Sequence, residues 1–391
     1  MAAADKKPKL LIIASLASTL WVFYRGLIER LCEMGFDVTV AASDDYDLGR
    51  FERDFGCRVF PMKISRRIAP FQDLACVVRL VQLMRKERFG LVHAHTPKAG
   101  LIGMTASFLA CVPNRVYTMH GLPIETATGV KKELLRQAER LSLGLATYRL
   151  IVSQSLARRA VELGLCRDDA YRILAEGSAC GVDRRRFSSA VRTPDRIAKA
   201  RKNLDLPPEA LIVGFVGRVT PDKGIDCLLD VFEAVQKKQP NVYLLIVGDF
   251  DKLDKKTHRL LESRMVSNPG IRYQSFVEDI VPCYSAMDFL VLPSKREGFN
   301  YALLEAAACG LPAITTRAIG CVDVVVEGQT GLIVEINDRV GLENAVEKLI
   351  ESFKMRQDYG AAAEKRIAEH FDAERLIDEH IKLYQSFFKA V

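Results

Sequence analysis

Short apolar runs recur along the chain and alternate with longer stretches whose apolar positions return every three or four residues. In the first half the runs fall at 9–14, 37–41, 91–94, 115–118 and 150–153; in the second at 211–216, 243–247, 271–274, 289–292 and 313–315. Runs of this length, rich in Val, Ile and Leu, predict buried strands, and the stretches between them predict helices. Strands alternating with helices imply parallel sheets covered on both faces, an α/β class. The opening KKPKLLIIASLAS mimics a signal peptide. A helix starting near Leu20 and a strand at 37–41 follow it at βαβ spacing, so the run is read as a first buried strand. The polar, proline-bearing stretch 193–208 interrupts the alternation. It predicts two domains, 1–192 and 193–373, with a last helix in 374–391 packing back on the first. No internal repeat is visible.

A chain of 391 residues, 49% hydrophobic and 27% charged, has the composition of a folded two-domain protein. No run reaches transmembrane length, and a cytoplasmic chain is expected. Charge is unevenly placed: residues 1–192 carry 30 basic and 19 acidic side chains, so the whole +7 excess comes from that half. Its partner should be anionic: a membrane surface, a phosphorylated substrate or nucleic acid. No aromatic and basic stacking motif supports nucleic acid. The ten cysteines form no C-x-x-C pair and no Cys/His ligand spacing, so they read as small buried hydrophobes, Cys57, Cys76, Cys111, Cys180 and Cys309 among them.

Ligands of open parallel sheets bind beyond the carboxyl ends of the strands, and two clusters lie there. GRVTPDKG, 217–224, follows the strand at 211–216 and opens a helix. Gly217 starts the turn, and Arg218 and Lys223 stand beside the helix N-terminus, where guanidinium, ammonium and helix dipole together could meet a diphosphate. A turn with two solvated cations is the alternative. The second cluster, KREGFNYALLEAAACGLP, 295–312, holds Glu297 and Glu305 eight residues apart. On one helix that spacing is about 12 Å on nearly one face, the reach from a sugar ring across a pyrophosphate to a ribose. Glu297 could then hold sugar hydroxyls and Glu305 ribose hydroxyls, with first-turn N–H groups at Gly298, Phe299 and Asn300 facing the phosphates. Otherwise Glu297 is a first-turn glutamate favoured by the helix dipole and Glu305 a surface one.

With these two elements in this order, followed by GLPAITT and DVVVEGQTGLIV, the chain resembles the retaining GT-B glycosyltransferases of family 4 type. HAHTPKAGLIG, 93–103, and TMHG, 118–121, are similar to their capsular and lipid-linked oligosaccharide branches. The resemblance implies two Rossmann-like doubly wound domains facing across a cleft, the first binding acceptor and the second a nucleotide sugar. It implies that Arg218 and Lys223 stabilise the diphosphate, Glu297 contacts the transferred sugar, and Glu305 binds ribose. The resemblance also implies that Phe276 and Val277 pass the nucleobase, largely through backbone groups, and that His120 meets the donor sugar. The departures are a glycine-poor first loop, SLASTLW, the pair Asn300–Tyr301, and Cys180 where related chains often have Asn.

The implied activity is retaining sugar transfer, with a UDP-sugar as the expected donor. The nucleotide sugar is a substrate; no cofactor is expected. DDYD, 44–47, contains an Asp-x-Asp but reads as a polar loop, since Arg218 and Lys223 reduce the need for a divalent cation. GDFD, 248–251, reads the same way. The basic first half, with Arg66, Arg67, Thr96 and Lys98 as acceptor candidates, points to a peripheral enzyme of the cytoplasmic membrane face. Its acceptor would be an undecaprenyl-diphosphate-linked saccharide. An epimerase or hydrolase on the same fold and a non-catalytic nucleotide-sugar sensor are the competing readings.

Overall fold

The apolar runs are the strands of two separate parallel sheets. The computed structural model describes residues 7–65, 68–251 and 254–388, which divide into unit 1, Met1–Cys180 with Glu374–Val391, and unit 2, Gly181–Ala373.

Unit 1 begins with β1 (Lys9–Leu16), α1 (Ala17–Glu33), β2 (Asp37–Ser43), α2 (Arg50–Phe55), β3 (Arg58–Pro61) and α3 (Pro70–Glu87). It continues with β4 (Leu91–His95), α4 (Pro97–Leu109), β5 (Asn114–Met119), α5 (Gly129–Leu145), β6 (Tyr148–Ile151) and α6 (Gln154–Glu162). The six strands are parallel in the order β3-β2-β1-β4-β5-β6. The would-be signal sequence is central strand β1, whose Leu10, Leu11, Ile12, Ile13 and Ala14 are wholly buried. Helix α1 lays Leu20, Tyr24, Leu27, Ile28 and Leu31 inward at helical spacing. The order reverses between β1 and β4, and the crevice beyond such a switch point is where doubly wound sheets bind ligands.

Unit 2 runs α7 (Pro194–Asn203), β7 (Leu211–Val216), α8 (Ile225–Lys238), β8 (Val242–Val247), α9 (Lys255–Ser267), β9 (Ile271–Gln274) and α10 (Val281–Ala286). Then come β10 (Phe289–Leu292), α11 (Tyr301–Ala308), β11 (Ala313–Thr316), β12 (Gly331–Val334), α12 (Arg339–Glu351) and α13 (Phe353–His370). Its sheet, β12-β11-β10-β7-β8-β9, repeats the plan of the first, with the switch point between β7 and β10. The last helix, α14 (Ala373–Phe388), belongs to unit 1 from Glu374 onward and buries Leu376, His380, Ile381, Tyr384 and Phe387 there.

The chain passes between units at Cys180–Gly181, twelve residues before the expected boundary. Residues 181–192 are fastened to unit 2: Arg186 donates to Glu278 O and Asp279, Arg192 to Met287 O, and Ser189 N–H to Glu364. The polar stretch that interrupts the alternation begins with helix α7, capped by Thr193 and anchored by buried Arg201, which donates to Ala286 O, Pro208 O, Ala210 O and Asp288. All ten cysteines are free, and Cys111 is exposed rather than buried. Among the described residues no helix is long and apolar enough to cross a membrane.

Candidate active site

The two polar clusters of unit 2 meet across its switch point. Gly217, at φ 151°, turns the chain out of β7, and Gly224, at φ 73°, starts α8. A Cβ at Gly224 would stand 2.1 Å from Pro293 O, so only glycine lets the loop after β7 press on the end of β10. Lys295 N–H donates to Asp222 O at 2.8 Å and closes the two loops together. Side chains complete the link: Lys223 Nζ donates to Glu297 Oε1, an ion pair whose partners are only 13% and 11% exposed. The same Glu297 oxygen accepts from Ser294 Oγ and Asn300 Nδ2, both at 2.8 Å.

Glu297 and Glu305 do not share a helix, as their spacing predicted. Helix α11 begins at Tyr301, and Asn300 caps it, its Oδ1 accepting from Leu303 N–H at 3.0 Å. Asn300 therefore both starts the helix and holds Glu297, which stands in the preceding loop with Gly298. Gly320 backs that loop: a Cβ there would lie 2.6 Å from Gly298 O. Phe299 is buried against Tyr301 and Phe371. Glu305, on α11, accepts from Tyr284 Oη at 2.8 Å. Burial raises its pKa to about 7, against the lowering influence of the Tyr284 hydrogen bond and Arg186.

Arg218 is half exposed and engages Asp251 at 2.8 Å and Asp222 at 3.5 Å. These contacts are solvent-screened and exchangeable, so an incoming diphosphate can take the guanidinium over. Phe276 and Val277 follow β9, and Phe276 is 75% exposed. The Phe276 N–H is already held by Asp249 Oδ1 at 3.0 Å. Asp249 and Asp251, which the sequence placed in an ordinary loop, thus arrange the neighbourhood of both Arg218 and Phe276. The Ser275 hydroxyl and the Phe276 N–H keep the Asp249 carboxyl below the usual range.

In unit 1, His120 follows β5 as expected and heads a buried aromatic cluster. Its Nε2 lies 3.1 Å from Tyr24 Oη and 3.4 Å from His95 Nδ1. Behind them His93 is held between Thr118, at 2.7 Å, and Tyr384 of α14. Burial, with a smaller contribution from His380, lowers the His120 pKa to about 4, and burial pushes His93 and His95 well below the ordinary range. The cluster is neutral at physiological pH. Tyr24 and His95 carry no sequence signal of this role, since the contacts span 96 and 25 residues.

Of the acceptor candidates, Arg66 and Arg67 lie outside the described residues. Thr96 stands at the switch point of unit 1, its hydroxyl 2.9 Å from Ser15 Oγ. Its backbone sits at φ 69°, ψ 149°, a region few non-glycine residues adopt and which costs on the order of 1–3 kcal/mol. Lys98 is not presented to solvent: it pairs with Asp73 of α3, both less than one-fifth exposed. The DDYD aspartates shape their loop. Asp44 accepts from Leu48 N–H, Asp45 from Ser18 at the start of α1, and Asp47 pairs with Arg53.

The family described as Glycosyl transferases group 1 matches residues 196–366, and the Glycosyl transferase 4-like domain matches residues 18–175. The chain is 33% identical to the capsular polysaccharide biosynthesis glycosyltransferase CapM of Staphylococcus aureus, over 93% of this chain and 94% of that one. It is 25% identical to the UDP-Gal:alpha-D-GlcNAc-diphosphoundecaprenol alpha-1,3-galactosyltransferase of Escherichia coli, over 89% of each. In structure it resembles HepE of Anabaena in complex with UDP and glucose, with a TM-score of 0.80 at 19% identity, covering 97% of this chain and 100% of that one. A sheet plan repeated in both units, a cation and carboxylate constellation across the second switch point, and these matches lead to one assignment: the chain belongs to the group 1 glycosyltransferases and has the GT-B fold.

Proposed function

We propose that this glycosyltransferase moves a sugar from a UDP-sugar to an undecaprenyl-diphosphate-linked saccharide with retention at the anomeric carbon. The observation that carries the reading is the Lys223–Glu297 pair tied across the switch point of unit 2, with exposed Arg218 on the same loop. Arg218 and Lys223 supply the positive charge that a departing diphosphate needs, which is where preorganised electrostatics lower the barrier most. Glu297, aligned by Ser294 and Asn300, receives hydroxyls of the transferred sugar, and Glu305 receives those of the ribose. His120, neutral and fixed by Tyr24, meets the donor sugar.

In the step, the bond from the anomeric carbon to the diphosphate oxygen breaks and a bond to the acceptor hydroxyl oxygen forms on the same face. The acceptor proton passes to an oxygen of the leaving diphosphate. The products are UDP and the extended acceptor, and no divalent ion is required. Support for donor and acceptor comes from the name of the Escherichia coli relative, with UDP-Gal as donor and a diphosphoundecaprenol acceptor. The basic amino-terminal half suits work at an anionic membrane face.

The test is an NMR-followed reaction with a panel of nucleotide sugars and lipid-linked acceptors. UDP release together with a glycosylated lipid of retained anomeric configuration is expected. Free sugar, an epimerised nucleotide sugar, an inverted product, or binding without turnover would each overturn the reading.

A further inference from the structure

Beyond the carboxyl ends of β2 and β3, on the far side of the unit 1 sheet from His120, an open pocket of about 650 Å³ lies between the loops that follow these strands and helix α3. That volume is within the range of small-ligand sites. Its walls include Ser43, Asp44, Lys63, Gln72 and Arg79. The loop carrying Lys63 is fixed before any ligand arrives: Ile64 N–H donates to Ser43 Oγ at 2.7 Å, and Gln72 Nε2 donates to Lys63 O at 2.7 Å. Arg79 is fixed as well. Its guanidinium lies 5.1 Å from the Phe60 ring centroid and donates to Pro61 O at 3.1 Å.

What holds the Arg79 guanidinium is therefore an aromatic ring and a carbonyl group, and Lys63 is placed through its backbone carbonyl. Among the described residues neither Lys63 nor Arg79 is paired with a carboxylate, whereas Lys98 on the neighbouring helix is paired with Asp73. Asp44, the acid in the wall, has one oxygen committed to Leu48 N–H at 2.7 Å. A preorganised guanidinium and a lysine in the walls of one open pocket suit a dianionic phosphate group.

Helix α3 adds a second feature. Phe71 is 90% exposed, Leu74 62% and Val78 48%, and Ile68, just before the helix, 54%. At about 100° per residue, positions 71, 74 and 78 make one stripe, and Gln72 and Arg79 stand on the flank that faces the pocket. The helix thus sets an unburied hydrocarbon track against an anion receptor, an arrangement that a free nucleotide or a soluble sugar would not use. We infer that this pocket and stripe are one site for a lipid diphosphate: the diphosphate at Lys63 and Arg79, the first isoprenoid units along Phe71, Leu74 and Val78. The inference deepens the lipid-linked acceptor of the proposed function and rests on it for the ligand's biological identity.

The probe is farnesyl diphosphate, titrated calorimetrically into the full chain, with farnesol and inorganic diphosphate as half-ligands. K63A/R79A and F71S/L74S are compared with wild type, and UDP affinity reports that each variant is folded. Expected is binding of farnesyl diphosphate by wild type, weakened at least about tenfold in each double variant, with both half-ligands much weaker and UDP affinity unchanged. Equal affinity in wild type and variants overturns the site. So does a result in which the variants lose binding to vesicles of phosphatidylglycerol but keep farnesyl diphosphate, because the surface would then be a general membrane contact. The transfer assay separates this inference from the functional reading. Farnesyl diphosphate binding at these residues without transfer to any lipid-linked acceptor overturns the acceptor reading and supports the site. Transfer to a lipid-linked acceptor with unchanged KM in both variants supports the reading and overturns the site.

Discussion

Tyr284 on α10 places its hydroxyl 2.8 Å from Oε2 of Glu305 on α11, the carboxylate proposed to receive the donor ribose. One hydrogen bond is a small compensation for burial, and the Glu305 pKa rises to about 7. Only the ionised form can accept from two ribose hydroxyls while Tyr284 occupies its other oxygen. The affinity for UDP should therefore fall as pH drops through 7, by about tenfold between pH 8 and pH 6. In Glu305→Gln this component should vanish, which corrects for titration of UDP itself. Tyr284→Phe removes a bond that favours the ionised form, so the midpoint should move to higher pH. Calorimetry across this range decides it; a midpoint that moves down in Tyr284→Phe would show that the phenol does not tune Glu305.

Arg218→Ala and Lys223→Ala should each lower turnover by roughly two orders of magnitude at saturating donor, the scale for loss of one electrostatic stabiliser. They should differ in stability. Arg218 is half exposed, and its removal leaves solvated aspartates; Lys223 is buried with Glu297, and its removal leaves a buried carboxylate. Urea denaturation should show a clearly larger loss for Lys223→Ala. Near-normal turnover in either variant would remove the diphosphate assignment.

In the proposed reaction Arg218, Lys223 and the start of α8 meet the leaving group, so activity should survive EDTA. Loss of activity that Mg²⁺ or Mn²⁺ restores would return Asp45 and Asp47 to consideration.

His93, His95 and His380 are buried in unit 1, and burial depresses all three, His380 to about 4. The unfolded chain takes up protons near pH 6.5 that the folded chain refuses, so the stability these groups give is present above 6.5 and is lost as pH falls below it. Three such groups correspond to a slope on the order of 4 kcal/mol per pH unit once all three are protonated in the unfolded chain only. Denaturation midpoints at pH 7, 6 and 5 should fall with that steepening slope; a flat profile would contradict a neutral buried cluster.

The central strands were legible because each is a continuous apolar run buried on both faces, as β1 and β10 are. The outer strands β3, RVFP, and β12, GLIV, are short and partly exposed, so the apolar pattern alone did not mark them. The residues proposed for the donor follow strand ends, as the sequence placed them, yet their geometry was not legible: a side-chain cap at Asn300 starts the helix after Glu297. Tyr284, Tyr24 and His95 act through contacts between distant residues, and no local pattern announces them.

The return of α14 to unit 1 fixes an order in time. His93 on β4 awaits Tyr384, and Tyr148 on β6 packs on Phe387 with ring centroids 4.5 Å apart. A ribosome adding about 5–20 residues per second needs roughly 10–40 s to make the intervening unit 2. Throughout that interval the first sheet has every strand and lacks one wall, with the His93 edge and the Tyr148 ring open to solvent. Unit 1 is thus begun before unit 2 and completed after it, and a nascent chain of this protein has reason to engage a chaperone until α14 leaves the exit tunnel.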